Sequence, residues 1–375
     1  MLSLFSASPS LNVGIAPVTA PRAATSMAEA RAVKATPLPA SVKPGVVTGQ
    51  ALWDLLEHAK ENKYAIPAVN VVSSCSIASC LEAAKSYGGP MIIQFSRGGG
   101  QFICGKTADN TDDAACIAGT VAGALATRAI AKQYGVPVIL HTDHCQRSWL
   151  PWFDGLMDAN EEYFKKNGTV ALTRPRPWTP RPRPWAPTPC HPCRPCPCPC
   201  RFHTQLTSSF APCAGEPLFS SHMLDLSEEP LEENVGTCVE YLTRMAKSDI
   251  LLEMELGVTG GEEDGVDNSD VDSSKLYTQP EEVYEVYTAL NAVKGGRFTI
   301  AAAFGNVHGV YSPGNVQLTP DILHNCQKYI KEKDSCDAEK PATFVFHGTP
   351  RRLPLPRLLP RLLPRLLPLA PRRCH

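Results

Sequence analysis

The chain has 375 residues and an apolar composition of 43%, which suffices for one large domain or two ordinary ones with substantial cores. Its formal net charge of -1 hides an uneven distribution, because residues 169–215 and 348–375 hold 13 Arg and no Lys, Asp or Glu. The rest of the chain is therefore acidic, which argues against a nucleic acid partner. It contains no run of about 18 apolar residues, so no membrane-spanning helix is expected.

The first 45 residues are rich in Ser, Ala and Pro, and Glu29 is their only acidic residue. The basic residues in this stretch are Arg22, Arg31, Lys34 and Lys43. Its apolar stretches are short and interrupted, which is more typical of an organelle transit peptide than of a secretory signal. We therefore expect a plastid location, and the alternative is a disordered tail on a cytoplasmic protein.

Two segments differ from the rest of the chain in composition. Within residues 169–215, Pro occupies nearly every second position of RPRPWTPRPRPWAPTPCHPCRPCPCPC, which is incompatible with a helix or a central strand. From Pro350 the sequence repeats Pro-Arg-Leu-Leu, which offers no means of packing. Arg without Lys and simple repeats suggest translated GC-rich non-coding sequence. A zinc cluster at Cys190 to Cys200 is disfavoured, because Cys-Pro-Cys-Pro-Cys is too tightly spaced.

Between these segments the sequence repeats one pattern seven times: a short apolar run, a polar residue at its end, and an amphipathic helical stretch. The apolar runs are AIPAVN, PMIIQFS, PVILHTDH, LFSSHMLD, ILLEMELG, FTIAAAFGNVHG and ATFVFHG. Helices are predicted between them, for instance at 76–85 and 112–134. Alternating strands and helices predict an α/β fold with parallel strands that are buried on both faces.

Polar residues at the carboxyl ends of so many strands favour a (β/α)8 TIM barrel over a doubly wound sheet. In the barrel those ends converge on one mouth, where catalytic residues collect. The eighth strand should follow His347, but the Arg-rich tail stands in its place. The predicted organisation is a transit peptide or disordered tail at 1–45, a barrel at 46–348 interrupted by a disordered insert at about 169–215, and a low-complexity tail at 349–375.

Three histidines end the third, sixth and seventh predicted strands, namely His144, His308 and His347. A barrel would bring them to one centre, and three protein ligands with an open position are typical of catalytic Zn²⁺. Any one of them alone would more often cap a strand or satisfy a backbone group. Asp225 and Glu255 end the intervening strands and can orient the imidazoles or hold a second cation.

A glycine-rich acidic stretch follows Glu255, with the sequence ELGVTGGEEDGVD. Glycines flank Glu262 and Glu263, which predicts a mobile loop whose carboxylates can act as an acid or base. A solvated acidic loop is the alternative. Calcium is disfavoured because the EF-hand spacing is absent.

Four motifs together resemble the class II fructose-bisphosphate aldolase family: HTDHC at 141–145, ELGVTGGEEDGVDN at 255–268, FGNVHGVY at 304–311 and FVFHG at 344–348. The resemblance runs from about Gly45 to Gly348 apart from the insert. It implies a zinc-dependent lyase, commonly a homodimer, that reversibly cleaves fructose 1,6-bisphosphate to dihydroxyacetone phosphate and glyceraldehyde 3-phosphate. Such an enzyme serves glycolysis, gluconeogenesis or the Calvin cycle.

The resemblance also implies residue roles. The Zn²⁺ ligands would be His144, His308 and His347, with Asp225 and Glu255 around the metal. Asp143 would exchange the proton of the C4 hydroxyl, and Glu263 would act at C3, with Glu262 as the second choice. Substrate would be held by Asn70 and Ser96, while the backbone of Gly309 and Gly348 would contribute to phosphate binding and to a monovalent cation site for Na⁺ or K⁺.

The sequence departs from the family after Gly348. The family has a Gly-Ser-rich phosphate loop there and then an eighth strand, whereas this chain continues with Thr349-Pro350-Arg351. Three alternatives to the fructose-bisphosphate enzyme therefore stay open. They are a tagatose-bisphosphate aldolase, a truncated inactive remnant from a faulty gene model, and a Pro/Arg-rich interaction protein.

Overall fold

The computed structural model describes residues 36–169, 215–259, 262–263, 266–267, 276–307 and 318–347. By its internal contacts the chain divides into two units, Met1–Pro37 and Leu38–His375, and every element below belongs to the second unit. Most of the predicted leader at 1–45 and of the predicted insert at 169–215 lies outside the described residues. The whole of the predicted tail at 349–375 lies outside them too.

Strands and helices alternate along the described chain, as predicted. The first half contains β1 (Gly45–Val46), α1 (Gly49–Glu61), β2 (Ala68–Asn70), α2 (Ser74–Tyr87), β3 (Met91–Phe95), α3 (Arg97–Cys104), α4 (Ala114–Tyr134), β4 (Pro137–Thr142) and α5 (Leu150–Thr169). The second half contains β5 (Ser221–Leu224), α6 (Leu231–Met245), β6 (Leu251–Leu256), β7 (Glu262–Glu263), β8 (Val266–Asp267), α7 (Pro280–Asn291), β9 (Phe298–Ala302), α8 (Asp321–Asp334) and β10 (Phe344–Val345). All seven predicted strands are present, and the two predicted helices correspond to α2 and α4.

Seven strands pair in parallel in the order β2-β3-β4-β5-β6-β9-β10, so each strand lies beside its neighbours in sequence. The short β1 pairs with the start of β4, where Gly45 lies opposite Pro137. Parallel strands in sequential order with intervening helices form the wall of a TIM barrel, which confirms the predicted fold class. In the part of the chain that the structure describes, β2 and β10 are the two ends of this wall and no strand joins them.

The two ends of the barrel have different chemistry. At the amino end of the strands, Leu52 and Leu55 of α1 pack with Val47 against Ile139 and Leu251 near the starts of β4 and β6. This apolar cluster lies at that end of the barrel. The polar residues that follow the strands therefore meet at the opposite, carboxyl end, as in other barrels.

Helices α3 and α4 approach each other closely because glycines lie between them. A Cβ atom on Gly119 of α4 would lie 1.8 Å from the carbonyl oxygen of Gly100 in α3, and one on Gly123 would lie 2.4 Å from the ring of Phe95. Neither distance leaves room for a methyl group. The position of α3, which begins directly after β3, therefore depends on these glycines.

The stretch Thr111–Tyr134, which includes α4, is long and apolar enough to cross a membrane by length and composition, with a mean hydropathy of 1.5. The core helix of a globular protein passes the same test. One face of α4 is buried through Cys116, Gly119 and Ala124, so we assign the helix to the outer layer of the barrel. Its opposite face exposes Ala122 and Leu125.

We expect Gly119→Ala to lower the free energy of unfolding by about 1–3 kcal/mol, because the added methyl group would overpack the contact with α3. Gly236→Ala is the matched control, since Gly236 lies in α6 with no atom within 4 Å of its Cβ position. That control should stabilise the protein by about 0.5–1 kcal/mol through helix propensity. Urea unfolding of both variants measures the difference, and equal stability would contradict the close packing of α3 and α4.

Candidate functional site

Five side chains from distant parts of the sequence converge at the carboxyl ends of the strands. Asp143 and His144 follow directly after β4, Asp225 follows β5, Glu255 lies at the end of β6, and His347 follows β10. Because adjacent parallel strands end at the same edge, these residues share one site. The structure thus brings together five of the residues that the sequence predicts for the mouth of the barrel.

His144 lies at the centre of this group. Its Nδ1 is 2.8 Å from Asp225 Oδ2 and 2.9 Å from Glu255 Oε2. Its Nε2 is 3.0 Å from Nδ1 of His347. Burial alone would lower the pKa of His144, but the carboxylates of Glu255, Asp143 and Asp225 raise this pKa well above its usual value.

His347 is held from its other side. Its Nε2 lies 2.9 Å from Glu253 Oε1, and its backbone carbonyl accepts a hydrogen bond from Asn306 Nδ2 at 2.7 Å. Burial and the nearby His144 lower the pKa of His347, but Glu253 and Glu255 outweigh them and raise it. The ring is therefore fixed with Nδ1 toward His144.

The carboxylates determine which ring nitrogens carry protons. A neutral His144 donates from Nδ1 to Asp225, and a neutral His347 donates from Nε2 to Glu253. The two nitrogens that face each other at 3.0 Å then both present lone pairs, which repel unless a cation or a proton lies beside them. Carboxylate partners of this kind orient metal-binding imidazoles in proteins.

Asp143 places a carboxylate beside the two imidazoles. Asp143, His144 and His347 each offer one ligand atom, and these lie within 4.8 Å of one another. Oδ1 of Asp143 is buried and has no hydrogen-bond partner among the described residues. Two imidazoles and a carboxylate form a donor set that fits a divalent metal. His144, Asp225 and Glu255, one imidazole and two carboxylates, form a second group with the spacing of metal ligands.

The second oxygen of Asp143 is held by Asn70, whose Nδ2 donates to Oδ2 at 2.6 Å. Asp143 is only 2% exposed. Burial raises its pKa, but His144, His347 and Asn70 outweigh that effect and hold the pKa well below its usual range. Asp143 is therefore ionised at neutral pH, and its Oδ1 is directed to accept a proton or a cation.

Asp225 and Glu255 are themselves locked in place. The backbone amide and the hydroxyl of Ser227 both donate to Asp225 Oδ1. Thr259 Oγ1 donates to Glu255 Oε1 at 2.9 Å, and Asn234 Nδ2 donates to the Glu255 carbonyl. Burial and the neighbouring Asp225 raise the pKa of Glu255. These bonds fix the carboxylates that orient His144.

The other predicted site residues lie outside this cluster of five side chains or outside the described residues. Ser96 follows β3 and caps α3, because its Oγ accepts a hydrogen bond from the Gly99 amide at 3.1 Å. Glu262 and Glu263 form β7, which pairs antiparallel with β8, so the stretch predicted as a loop contains a short hairpin. The remaining predicted residues, His308, Gly309 and Gly348, lie outside the described residues.

Two buried residues behind the site, Glu253 and His141, were not among the residues predicted from the sequence. Glu253 contacts His347 and lies two residues before Glu255 on β6, and His141 lies two residues before Asp143. Since alternate residues of a strand share a face, Glu253 shares the inward face with Glu255, and His141 with Asp143. Strand alternation is therefore the signal that could have identified both.

Comparison with known proteins agrees with this geometry. The family described as "Fructose-bisphosphate aldolase class-II" matches residues 50–167 and 202–352. A fructose-bisphosphate aldolase of Candida albicans is 47% identical over 306 residues, which cover 82% of this chain and 72% of that protein. One of Edwardsiella ictaluri is 48% identical over 307 residues with the same coverage.

A solved structure is similar as well. The crystal structure of fructose-bisphosphate aldolase from Campylobacter jejuni superimposes with a TM-score of 0.61 at 44% identity. The similarity covers 82% of this chain and 71% of that one. It therefore includes most of the seven-stranded wall and its helices.

We expect His144→Ala to abolish stoichiometric binding of Co²⁺ or Zn²⁺, because this ring faces both His347 and the carboxylates of Asp225 and Glu255. His58→Ala is the matched control, since His58 is a buried histidine of α1 whose Nδ1 pairs with the Tyr64 hydroxyl. Metal content after dialysis, measured by mass spectrometry, should be about one equivalent for the control. A filled site in His144→Ala would contradict the ligand set.

Proposed function

Because the chain belongs to the class II fructose-bisphosphate aldolase family, we propose that the divalent metal of its site is Zn²⁺, held by His144, His308 and His347. The function is fructose-bisphosphate aldol cleavage, a lyase reaction of glycolysis and carbohydrate metabolism. Its substrate is a sugar phosphate, fructose 1,6-bisphosphate, and its products are dihydroxyacetone phosphate and glyceraldehyde 3-phosphate. The observation that carries the metal proposal is the pair of imidazole nitrogens that face each other at 3.0 Å beside Asp143.

Cleavage of the C3–C4 bond leaves negative charge that must be delocalised into the adjacent carbonyl group. When bound, Zn²⁺ supplies the Lewis acidity that stabilises this charge. The protein must hold the imidazoles rigidly for this purpose, and the carboxylates of Asp225 and Glu255 do so for His144. No lysine Schiff base is required by this chemistry.

Asp143 is the proposed base for the C4 hydroxyl. Its low pKa keeps it ionised, and Asn70 fixes Oδ2 so that Oδ1 is presented to the substrate. In the direction of cleavage, Oδ1 takes the hydroxyl proton as the C3–C4 bond breaks. Asn70 therefore acts through Asp143 in addition to any contact with substrate.

The proton that is then needed at C3 comes from Glu263 in this proposal, with Glu262 as the second choice. Both residues lie on β7, and five residues separate β7 from the end of the site strand β6. Ser96 and the backbone of Gly309 and Gly348 hold the substrate and its phosphates, together with a monovalent cation, Na⁺ or K⁺. This part of the proposal depends on the family motifs in the sequence.

We propose that the enzyme is a homodimer and that the exposed face of α4 forms the interface. Ala118, Ala122, Leu125 and Ala129 recur at helical spacing along that face and are all exposed, with Phe102 of the adjacent α3 54% exposed. Small residues allow two helices to approach closely, and contiguous exposed apolar surface marks interaction sites. This support is independent of the active site.

We further propose that residues 169–215 and 349–375 are translated non-coding sequence and that residues 1–45 direct the chain to plastids, where it would serve the Calvin cycle. The family match skips residues 168–201, which supports the first point for most of the insert, while it includes residues 202–215 and ends at residue 352 in the tail. The composition of the first 45 residues supports the second. The sequence of the mature transcript would decide whether both unusual segments are expressed.

Metal removal tests the reaction class. We expect activity to be lost in a chelator and to be restored by Zn²⁺ or Co²⁺, because the metal is the proposed Lewis acid for the charge at the carbonyl. Full activity without metal, together with trapping of a lysine adduct by borohydride, would refute the proposal.

Asp143→Ala should lower kcat by roughly 10²–10⁴-fold, the usual contribution of general acid–base catalysis. Metal content should be unchanged, and the variant should still exchange the C3 proton of dihydroxyacetone phosphate, because that step is assigned to Glu263. Asn70→Ala should cause a smaller loss in the same direction. If Asp143→Ala instead empties the metal site, Asp143 is a ligand and not the base.

Leu125→Glu should convert the proposed dimer to a monomer, because a charge would be buried at the interface without a partner. Lys331→Glu is the control, since it also introduces a glutamate on an exposed helix, α8. Light scattering coupled to size exclusion measures the mass of both variants. An unchanged mass for Leu125→Glu would place the interface elsewhere.

A further inference from the structure

The first imidazole of the HTDHC motif has no role in the function proposed above. His141 is 3% exposed and lies on β4, two residues before Asp143. Strand alternation therefore places both side chains on the inward face of the barrel wall. A polar ring buried at this position needs polar partners, and one of these partners contacts the site residue His347.

A continuous row of contacts links His141 to the site. Its Nδ1 lies 2.8 Å from the hydroxyl oxygen of Ser221 on β5. Its Nε2 lies 3.7 Å from Oε2 of Glu253 on β6. The other oxygen of Glu253, Oε1, lies 2.9 Å from Nε2 of His347. Ser221, His141 and Glu253 are all at most 6% exposed, so water does not compete for these contacts.

The direction of each hydrogen bond follows from the chemistry of the groups. A carboxylate only accepts, so both imidazoles turn an N–H toward Glu253. His141 therefore accepts at Nδ1 from the hydroxyl of Ser221. The separation of 3.7 Å is too long for a hydrogen bond but still allows electrostatic attraction. Glu253 is thus bonded to one imidazole and steadied by the other.

We propose that Glu253 and His141 are positioning residues for the metal ligand His347. Glu253 fixes the ring of His347 by direct hydrogen bonding, and His141 attracts the second oxygen of Glu253 electrostatically. This inference rests on the proposed function, because it takes His347 as a ligand. Neither residue touches the reacting atoms.

A neighbouring histidine provides a matched control. His222 lies on β5 next to Ser221, so its side chain points to the opposite face of the sheet. Its Nδ1 lies 2.7 Å from Thr142 Oγ1, and its ring packs against Phe153 and Phe219 at centroid distances of 5.3 and 4.7 Å. His222 is as buried as His141 but has no described contact with the site.

The test is the affinity of the full chain for Zn²⁺ and Co²⁺, measured by competition with a chelator. Glu253→Ala should weaken binding by about 10- to 100-fold, the usual effect of removing such a partner. Glu253→Gln should recover most of this loss, because the amide oxygen accepts the same hydrogen bond. The visible spectrum of bound Co²⁺ should shift in Glu253→Ala, because the ring of His347 is no longer held.

His141→Asn should weaken binding less than Glu253→Ala does. It should add no further loss in the double variant, because it acts only through Glu253. His222→Asn should lower Tm but leave metal affinity and the Co²⁺ spectrum unchanged. If Glu253→Ala fails to fold, as judged by circular dichroism, the test is the metal affinity of His141→Asn compared with that of Glu253→Gln.

Three outcomes would overturn the inference: unchanged metal affinity in Glu253→Ala, additive losses in the double variant, or an equal loss of affinity in His222→Asn. These outcomes are distinct from a failure of the proposed function. If the unaltered protein binds no metal, or if His144→Ala still binds it, the metal site itself is wrong. If the unaltered protein binds metal through His144 and Glu253→Ala does not weaken it, only this inference fails.

Discussion

The site depends on carboxylates that hold imidazoles from distant parts of the chain. Asp225 and Glu255 contact one side of His144, and Glu253 contacts one side of His347. These contacts restrict the rotation of both rings. Two nitrogens face each other at 3.0 Å as a result, in an arrangement that either a shared proton or a metal cation satisfies. The rest of the barrel serves to keep β4, β5, β6 and β10 in the register that allows this arrangement.

Burying so many ionisable groups costs desolvation free energy, and hydrogen bonds between these groups and polar side chains offset it. A carboxylate without a partner in a low-dielectric interior would be strongly unfavourable. Here Asp225 accepts from Ser227, Glu255 accepts from Thr259, and Asp143 accepts from Asn70. Among the described residues, Oδ1 of Asp143 and Oε2 of Glu255 are buried exceptions at the mouth, with no hydrogen-bond partner. An unsatisfied buried oxygen is expected where a protein must interact with a ligand or a reacting proton.

Stability and function occupy different ends of the same sheet. At the amino end, apolar side chains of α1 pack beneath the starts of β4 and β6, and at the sides glycines let α3 lie close to α4. At the carboxyl end, the inward-facing residues are polar. Strand direction separates the two roles, since every parallel strand presents its end to the same mouth.

The sequence by itself determined the seven strands, the helices between them and the identity of the residues at the strand ends. Apolar periodicity is local, so it can be recognised without coordinates, and parallel strands imply that their ends meet. Contacts that depend on register and on distances between strands were decided only by the tertiary structure. Asn70 bonds Asp143, Ser96 caps α3, and Glu253 lies between His141 and His347. A linear pattern does not encode which side chain of one strand reaches which side chain of the next, because that depends on how the whole sheet curves and packs.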